Sequence, residues 1–206
     1  TILEEYNFGI LDTGLLPKQI DFFKQRGAIV KKAEWNVKVP NYKIRNRHHL
    51  KTQVARGFLP DYFYDYDLYI WLDADVWVND LDTFLLYEKG ARKNKLCITP
   101  QTDRAYGKFA KVDWFLGFPS KVRTINYKNI SKSVSYSMAR KLALYPTLNA
   151  GAFAINDNFD LWKQLQANTK IAAKKGRIFG TDQVALAISV YNDKMPCEFL
   201  PAYTNW

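Results

Sequence analysis

Two carboxylates one residue apart form the pattern in this sequence that is best suited to chemistry. Asp73 and Asp75 follow the run Leu68-Tyr69-Ile70-Trp71-Leu72, whose aromatic and aliphatic residues predict a buried strand. Residues i and i+2 of an extended segment point to the same side, so both carboxylates would face one ligand. Such oxygens suit Mg²⁺ or Mn²⁺, above all when a substrate phosphate completes the coordination. The alternative is a strand-end turn with two solvated aspartates.

Two further polar motifs lie at predicted element boundaries, where rigid scaffolds usually carry binding sites. Asn149, Ala150 and Gly151 begin a predicted strand, and the lack of bulk at Ala150-Gly151 would let a ligand approach the backbone. Asp182 and Gln183 begin a predicted helix and offer an acceptor and an amide suited to sugar hydroxyls. Helix capping is the alternative role of Asp182. Each motif alone is a weak signal.

Strands and helices alternate in the predicted element order. A strand at Phe8–Leu11, a helix from Pro17 to Arg26 and a strand at Ala28–Val30 favour parallel pairing with a right-handed crossover. The other predicted helices are His49–Phe58, Leu81–Tyr87, Ser137–Leu144, Phe159–Ala173 and one from Thr181 to Val190, and the other predicted strands are Leu96–Thr99, Asn149–Ile155 and Glu198–Leu200.

Three local features within this pattern can be checked individually. Asp80 is the expected N-cap of the helix at Leu81–Tyr87, and Gly90 is expected just past that helix. The long segment from Pro100 to about Ser137 is polar and aromatic. A connection of that length is usually functional or contains short elements of its own.

Composition indicates one folded domain spanning residues 1–206, since 48% of the residues are hydrophobic and 16% aromatic. Lys and Arg number 30 against 20 Asp and Glu, which favours an anionic partner such as a phosphorylated ligand or a membrane surface, with plain solubility as the alternative. The basic residues are dispersed, so we expect no nucleic acid partner. No apolar run approaches the roughly 20 residues of a membrane span. Cys97 and Cys197 are expected to be reduced core thiols.

Taken together and in order, these motifs resemble the glycosyltransferase family 8 type of nucleotide-sugar transferase. The resemblance covers nearly the whole chain through six segments, Phe8–Leu15, Val54–Leu59, Leu68–Val78, Leu148–Ile155, Thr181–Ala187 and Phe199–Trp206. It implies an α/β fold of the GT-A type, a Rossmann-like α/β/α sandwich in three layers with a mostly parallel central sheet. It also implies a retaining, hexosyltransferase-type enzyme that uses a nucleotide-sugar donor, expected to be a UDP-sugar.

The resemblance assigns the donor diphosphate to the strand end. Asp73 and Asp75 would hold Mn²⁺ (or Mg²⁺) against it, because a divalent cation stabilises the charge that develops on the leaving group. Arg56 would contact the donor, since a guanidinium can bind oxygens in pairs. A solvated charge on a helix is the alternative for Arg56.

The resemblance assigns the sugar to the other two motifs. Asn149, with the open backbone at Ala150-Gly151, and Asp182 would contact the donor sugar. Gln183 would lie near the reactive face of the sugar. Because an amide is a poor nucleophile, Gln183 is expected to position the sugar or to stabilise the charge that develops on it. Asp103 would bind sugar or acceptor. Front-face displacement and double displacement both remain open as routes to retention.

The sequence departs from the family pattern at both ends. The chain begins near the family's second strand and stops about where a His, with a Lys nearby, would complete the metal site. His48 and His49 lie in the wrong region to replace that His. A trimmed catalytic domain, lacking the first strand and the C-terminal metal-ligand segment, is expected rather than a degenerate enzyme, because both absences are terminal.

The acceptor is expected to be a saccharide or a lipid-linked molecule of polysaccharide biosynthesis. A basic, aromatic-rich surface would suit a cytoplasmic protein in peripheral contact with the inner face of a membrane. One alternative is a non-catalytic GT-A-like module that binds carbohydrate or scaffolds a larger assembly. A nucleic-acid-binding domain is a third hypothesis, motivated by charge alone.

Overall fold

A mixed four-stranded sheet lies at the centre of the protein. The structure is a computed structural model that describes residues 6–44, 47–103, 106, 110–175 and 178–205. The described strands are β1 (Gly9–Asp12), β2 (Ile29–Lys32), β3 (Leu68–Leu72), β4 (Leu96–Pro100), β5 (Ala110–Phe115), β6 (Phe118–Thr124), β7 (Leu148–Asn156) and β8 (Cys197–Phe199). The described α-helices are α1 (Pro17–Lys24), α2 (Asn41–Ile44), α3 (Thr52–Ala55), α4 (Leu59–Tyr62), α5 (Leu81–Ala91), α6 (Ile125–Ser133), α7 (Tyr136–Leu142), α8 (Phe159–Ala173) and α9 (Thr181–Ala187).

The central sheet has the strand order β3-β7-β4-β8. Strand β7 runs antiparallel to both β3 and β4, while β4 and β8 are parallel. The α/β class expected from the sequence is confirmed. The central sheet was expected to be mostly parallel but is mixed, because β7 runs antiparallel to both of its neighbours. Local pattern does not distinguish the two senses, since a strand buried on both faces is continuously apolar in either.

Strands β1 and β2 form a separate parallel pair, in register from Gly9 opposite Ile29 to Asp12 opposite Lys32. Helix α1 connects them, as the β-α-β pattern predicts. Pro17 is the first residue of α1, where a missing N–H costs nothing and the fixed φ suits a helix.

Helices cover both faces of the central sheet. Phe153 and Ile155 of β7 pack into one core cluster with Leu165 of α8 and Leu186 of α9. The alternate β7 residues Ala152 and Ala154 face a second cluster, which contains Tyr87 and Ala91 of α5. The period-2 alternation of a strand therefore separates two cores, one on each side. Within the described residues no helix has the length and apolar character needed to span a membrane.

Helix α5 differs from its prediction at one end. Asp80 caps it as expected, because the Asp80 side chain accepts a hydrogen bond from the Thr83 N–H at 2.7 Å. Gly90 lies inside the last turn rather than past it. A Cβ at Gly90 would clash with the Cys97 Sγ of β4, so the glycine permits close packing and does not end the helix.

Two other segments are more finely divided than their patterns suggest. The helix predicted over His49–Phe58 consists of a 3₁₀ turn (His48–Lys51), α3 and a second 3₁₀ turn (Arg56–Phe58). The long segment after Pro100 contains the antiparallel hairpin β5-β6 and helix α6. The alternative that this segment has short elements of its own is therefore the one observed.

Candidate functional site

The guanidinium of Arg56 joins three segments that are distant in sequence. Arg56 begins the second 3₁₀ turn and is only 4% exposed. Its Nη2 lies 2.9 Å from Asp73 Oδ1, and its Nη1 lies 3.0 Å from Asp182 Oδ2. Nη1 also donates to the Ala150 carbonyl at 2.8 Å, and Nε donates to the Thr52 carbonyl at 3.2 Å. The alternative interpretation of Arg56, a solvated helix charge, does not fit this burial.

Asp73 is held on several sides at the end of β3. Its N–H donates to the Gly151 carbonyl at 2.7 Å, which ties it to the neighbouring strand β7. The indole Nε1 of Trp71 donates to Asp73 Oδ1 at 2.8 Å, and the guanidinium carbon of Arg56 lies 4.9 Å from the centroid of the Trp71 ring. The orientation of the Asp73 carboxylate is thus set by Arg56 and Trp71 together.

The two aspartates of the strand end have different environments. Strand β3 ends at Leu72, and the Val76 N–H donates to the Asp73 carbonyl at 2.9 Å, which closes a turn. The expectation that Asp73 and Asp75 share one side rested on extended backbone, and the turn removes that basis. Asp73 is half-buried and paired, whereas Asp75 is exposed.

Polar atoms converge above Gly151. A Cβ added there would lie 3.3 Å from Asn149 Oδ1, 3.6 Å from Asp73 Oδ2 and 3.7 Å from Asn205 Nδ2. Asn149 Oδ1 accepts from the Gly151 N–H at 3.2 Å, and Asn149 Nδ2 donates to the Asn205 carbonyl at 3.2 Å. Asn205 Nδ2 is buried and has no hydrogen-bond partner in the part of the chain that the structure describes. A small ligand group placed here would satisfy that donor.

Asp182 is buried at the start of α9. The N-cap of this helix is Gly180, in the left-handed region at φ 81°, so Asp182 is not the capping residue. Its Oδ1 accepts from the Gln183 N–H at 2.8 Å, while its Oδ2 pairs with Arg56. Burial raises the pKa of Asp182, and the Arg56 guanidinium opposes that rise. Gln183 follows in the same turn and is half-buried.

Tyr106 connects the segment after β4 to this site. Its hydroxyl donates to the Asn205 carbonyl, and its N–H donates to the Asp103 carbonyl at 3.1 Å. Burial raises the pKa of the Tyr106 hydroxyl. Asp103 itself is exposed, and its carbonyl is linked to the site through the N–H of Tyr106.

The carboxylates at this site suit a divalent cation shared with a ligand. Among the described residues no group of three or more His, Cys, Asp or Glu could hold a metal ion. Asp73 and Asp75 would therefore supply only part of a coordination sphere. Mg²⁺ is commonly bound in this way, by one or two carboxylates together with substrate phosphates and water. The Asp73 oxygens keep lone pairs beyond those used by Arg56 and Trp71.

The structure brings together Arg56, Asp73, Asn149, Ala150, Gly151 and Asp182, with Gln183 adjacent, and leaves Asp75 and Asp103 exposed at the margin. Sequence reasoning missed Trp71, Tyr106 and Asn205. Trp71 lies two residues before Asp73, so strand periodicity could have placed it on the same face. The sequence carries no corresponding signal for Tyr106.

Comparisons with protein-family models, with curated proteins and with solved structures gave no match.

Proposed function

We propose that this protein is a metal-dependent glycosyltransferase. It transfers a sugar from a nucleotide-sugar donor, a UDP-sugar, to a saccharide or lipid-linked acceptor, with retention of configuration. The carrying observation is the convergence of three sequence motifs on Arg56, beside a cluster of polar atoms around Gly151. Motifs that are distant in sequence and adjacent in space are what a binding site requires.

The charges at the site favour a diphosphate that binds together with a divalent cation. One guanidinium faces the carboxylates of Asp73 and Asp182, with Asp75 exposed nearby. Such a site would repel a diphosphate unless a cation intervened. When bound, Mn²⁺ or Mg²⁺ would neutralise the charge that develops on the departing nucleoside diphosphate. Asp73 and Asp75 are the residues that would hold it.

Arg56 acts in this proposal as a positioning residue. Its contacts are to Asp73, Asp182, Ala150 and Thr52, so its hydrogen bonds orient the site. A carboxylate fixed in this way is preorganised, which lowers the reorganisation needed when charge develops. The resemblance implied a direct contact of Arg56 with the donor, and its burial favours the indirect role.

The sugar is assigned to the polar groups around Gly151 and to the start of α9. Asn149 and the buried amide of Asn205 offer hydrogen bonds to hydroxyl or phosphate oxygens. Asp182 and Gln183 lie on the Arg56 side, where Gln183 would stabilise the reactive face without acting as a nucleophile. The exposed Asp103 is assigned to the acceptor.

The test is calorimetric titration with UDP, with and without Mn²⁺. We expect binding that requires the metal and that weakens at least about tenfold in Asp75→Asn. Asp75 is exposed, so this change leaves the fold intact. Asp82→Asn, an exposed acidic residue of α5, is the matched control and should bind as the unchanged protein does.

A second variant tests the cluster of polar groups around Gly151. Gly151→Ala places a methyl group among Asn149, Asp73 and Asn205, and should reduce UDP-sugar binding while the melting temperature stays close to that of the unchanged protein. Metal-independent binding, or equal affinity in Asp75→Asn and Asp82→Asn, would contradict the metal assignment.

A non-catalytic carbohydrate-binding or scaffolding module is the second candidate. It is favoured by the pairing of Asp73 with Arg56 and Trp71, which already satisfies part of the carboxylate without a metal. Release of UDP from a UDP-sugar in the presence of Mn²⁺ distinguishes the two. The transferase should show turnover that Asp75→Asn abolishes, and a binding module should show none.

A further inference from the structure

The hairpin β5-β6 carries a cluster of large apolar side chains at its tip. This hairpin tip is Trp114–Phe118, and its members Trp114, Phe115, Leu116 and Phe118 are between 66% and 82% exposed. Folded domains rarely leave neighbouring large apolar side chains uncovered unless the patch contacts a partner. The hairpin tip is therefore expected to contact a binding partner.

The turn at the tip holds Leu116 in a backbone conformation that disfavours a leucine. Leu116 and Gly117 both have positive φ, 47° and 80°, and form the two-residue connection between Phe115 and Phe118. Asn, Asp or Gly is preferred at the first position of such a turn, because a branched side chain is disfavoured in the left-handed region. Turn chemistry does not explain Leu116, whereas a contact made by its side chain would.

Basic side chains lie behind the apolar tip. Lys111 and Lys121 are exposed on the two strands, and Arg123 pairs with Asp113, the sole acidic residue of β5 and β6. Between Trp114 and Ser120 the sequence has no charged residue. The hairpin thus has a net positive base and an uncharged, aromatic end.

The dimensions of the hairpin match those of a lipid interface. Leu116 lies two positions after Trp114, a rise of at most about 7 Å, and apolar groups of interfacial segments lie roughly 5–10 Å into the headgroup region. Lys111 and Lys121 lie about five residues from Leu116, or about 17 Å, where long side chains can reach lipid phosphates. Trp114 would lie near the interface that tryptophan favours.

We propose that the hairpin tip inserts into the interface of an anionic lipid bilayer. Leu116, Phe115 and Phe118 enter the acyl boundary, and Lys111 and Lys121 contact phosphate headgroups. Pairing with a second copy through the strand edge is disfavoured, because Pro119 in β6 lacks an N–H donor and the basic strands would repel each other. This inference does not depend on the proposed function.

The hairpin is anchored so that insertion would orient the protein. Strand β6 leads directly into α6, whose N-cap is the buried Thr124, and Thr124 Oγ1 accepts from the Tyr127 N–H at 3.1 Å. Because β6 ends at Thr124 and α6 begins at Ile125, a bilayer contact at the tip would fix the position of α6 relative to the lipid.

The test is co-sedimentation of the full chain with vesicles made of equal parts phosphatidylglycerol and phosphatidylcholine. We expect the unchanged protein to sediment and the Phe115→Ser/Leu116→Ser variant to remain in the supernatant. Leu144→Ser/Phe159→Ser is the matched control, because it removes the same residue types from exposed positions elsewhere, each 72% exposed. The control should sediment as the unchanged protein does, and circular dichroism should show both variants folded.

Charge is tested separately with Lys111→Gln/Lys121→Gln. Each lysine should contribute about fivefold to vesicle affinity, and that contribution should fall as salt is added. Failure of the unchanged protein to sediment, or equal sedimentation of the tip and control variants, would overturn the proposal. It would also be overturned if the tip variant only converted a lipid-free dimer to a monomer, since the tip would then join two copies of the chain.

Discussion

Arg56 shows how one buried cation can organise several segments. Moving a guanidinium out of water costs several kcal/mol unless its donors are paired, and here two carboxylates and two backbone carbonyls accept from it. The same contacts place Asp73 and Asp182 within reach of one another. Removal of the cation would leave two carboxylates with no opposing charge among these contacts.

We expect Arg56→Met to lower the free energy of unfolding by about 3 to 5 kcal/mol, because it leaves buried charge unpaired. Urea unfolding measures this. Arg92→Met is the control: Arg92 is exposed and pairs with Glu88 one helical turn away, so its loss should cost less than about 1 kcal/mol.

The double variant Arg56→Met/Asp182→Asn tests whether the pair acts as a unit. The decrease in its free energy of unfolding should be smaller than the sum of the decreases in the two single variants, because Asp182→Asn removes a carboxylate that Arg56→Met leaves unpaired. Strict additivity of the two losses would show that Arg56 and Asp182 are not energetically coupled.

At the scale of elements, the packing of α5 on β4 depends on one glycine. Gly90 lies in the last turn of α5 and faces Cys97, which is buried in β4. Burial raises the pKa of the Cys97 thiol to about 12, so the thiol stays neutral in this contact. Helix α5 and strand β4 approach closely because Gly90 has no side chain and the Cys97 side chain is small.

Gly90→Ala should destabilise the protein by about 1 to 3 kcal/mol through overpacking, although alanine is intrinsically the better helix former by about 1 kcal/mol. Thermal and urea unfolding measure the change. Lys89→Ala, at an exposed position of the same turn, should have little effect. Two outcomes would show that the contact with Cys97 is not what requires glycine. One is a Gly90→Ala variant as stable as Lys89→Ala, and the other is a Gly90→Ala/Cys97→Ala variant that does not recover the stability lost in Gly90→Ala.

At the scale of the whole molecule, charge is unevenly distributed. The chain carries a net charge of +10, yet the candidate site pairs two carboxylates, Asp73 and Asp182, with one guanidinium. The described residues lack a group of three or more ligands that could hold a structural metal. We expect the fold not to require a metal, and under the proposed function a cation should bind together with the nucleotide.

Chelation with EDTA should leave the melting temperature unchanged, as measured by differential scanning calorimetry. Addition of UDP with Mn²⁺, at about a hundred times the dissociation constant, should raise it by roughly 5 to 10 °C, because ligand binding to the native state adds about 2.7 kcal/mol. UDP with EDTA is the control and should give no rise. A lower melting temperature in EDTA alone would reveal a structural metal.

Much of the local structure follows from sequence pattern alone. Helix Phe159–Ala173 has the predicted bounds, because its apolar residues recur at helical spacing and Asn158 caps its start through hydrogen bonds to the N–H groups of Asp160 and Leu161. The Asp80 cap and the β-α-β opening are equally local. The helix bounds and the caps depend on residues within a few positions of each other, and the β-α-β opening joins elements that are consecutive in the chain, so a sequence displays both directly.

Only the tertiary structure decided how the motifs of the candidate site are arranged. The antiparallel sense of β7, the burial of Arg56 and the turn that separates Asp75 from Asp73 all depend on where distant segments pack. Arg56 and Asp182 lie far apart in sequence and 3.0 Å apart in space. Propensity and periodicity describe one element at a time, whereas such contacts arise from the packing of elements against each other.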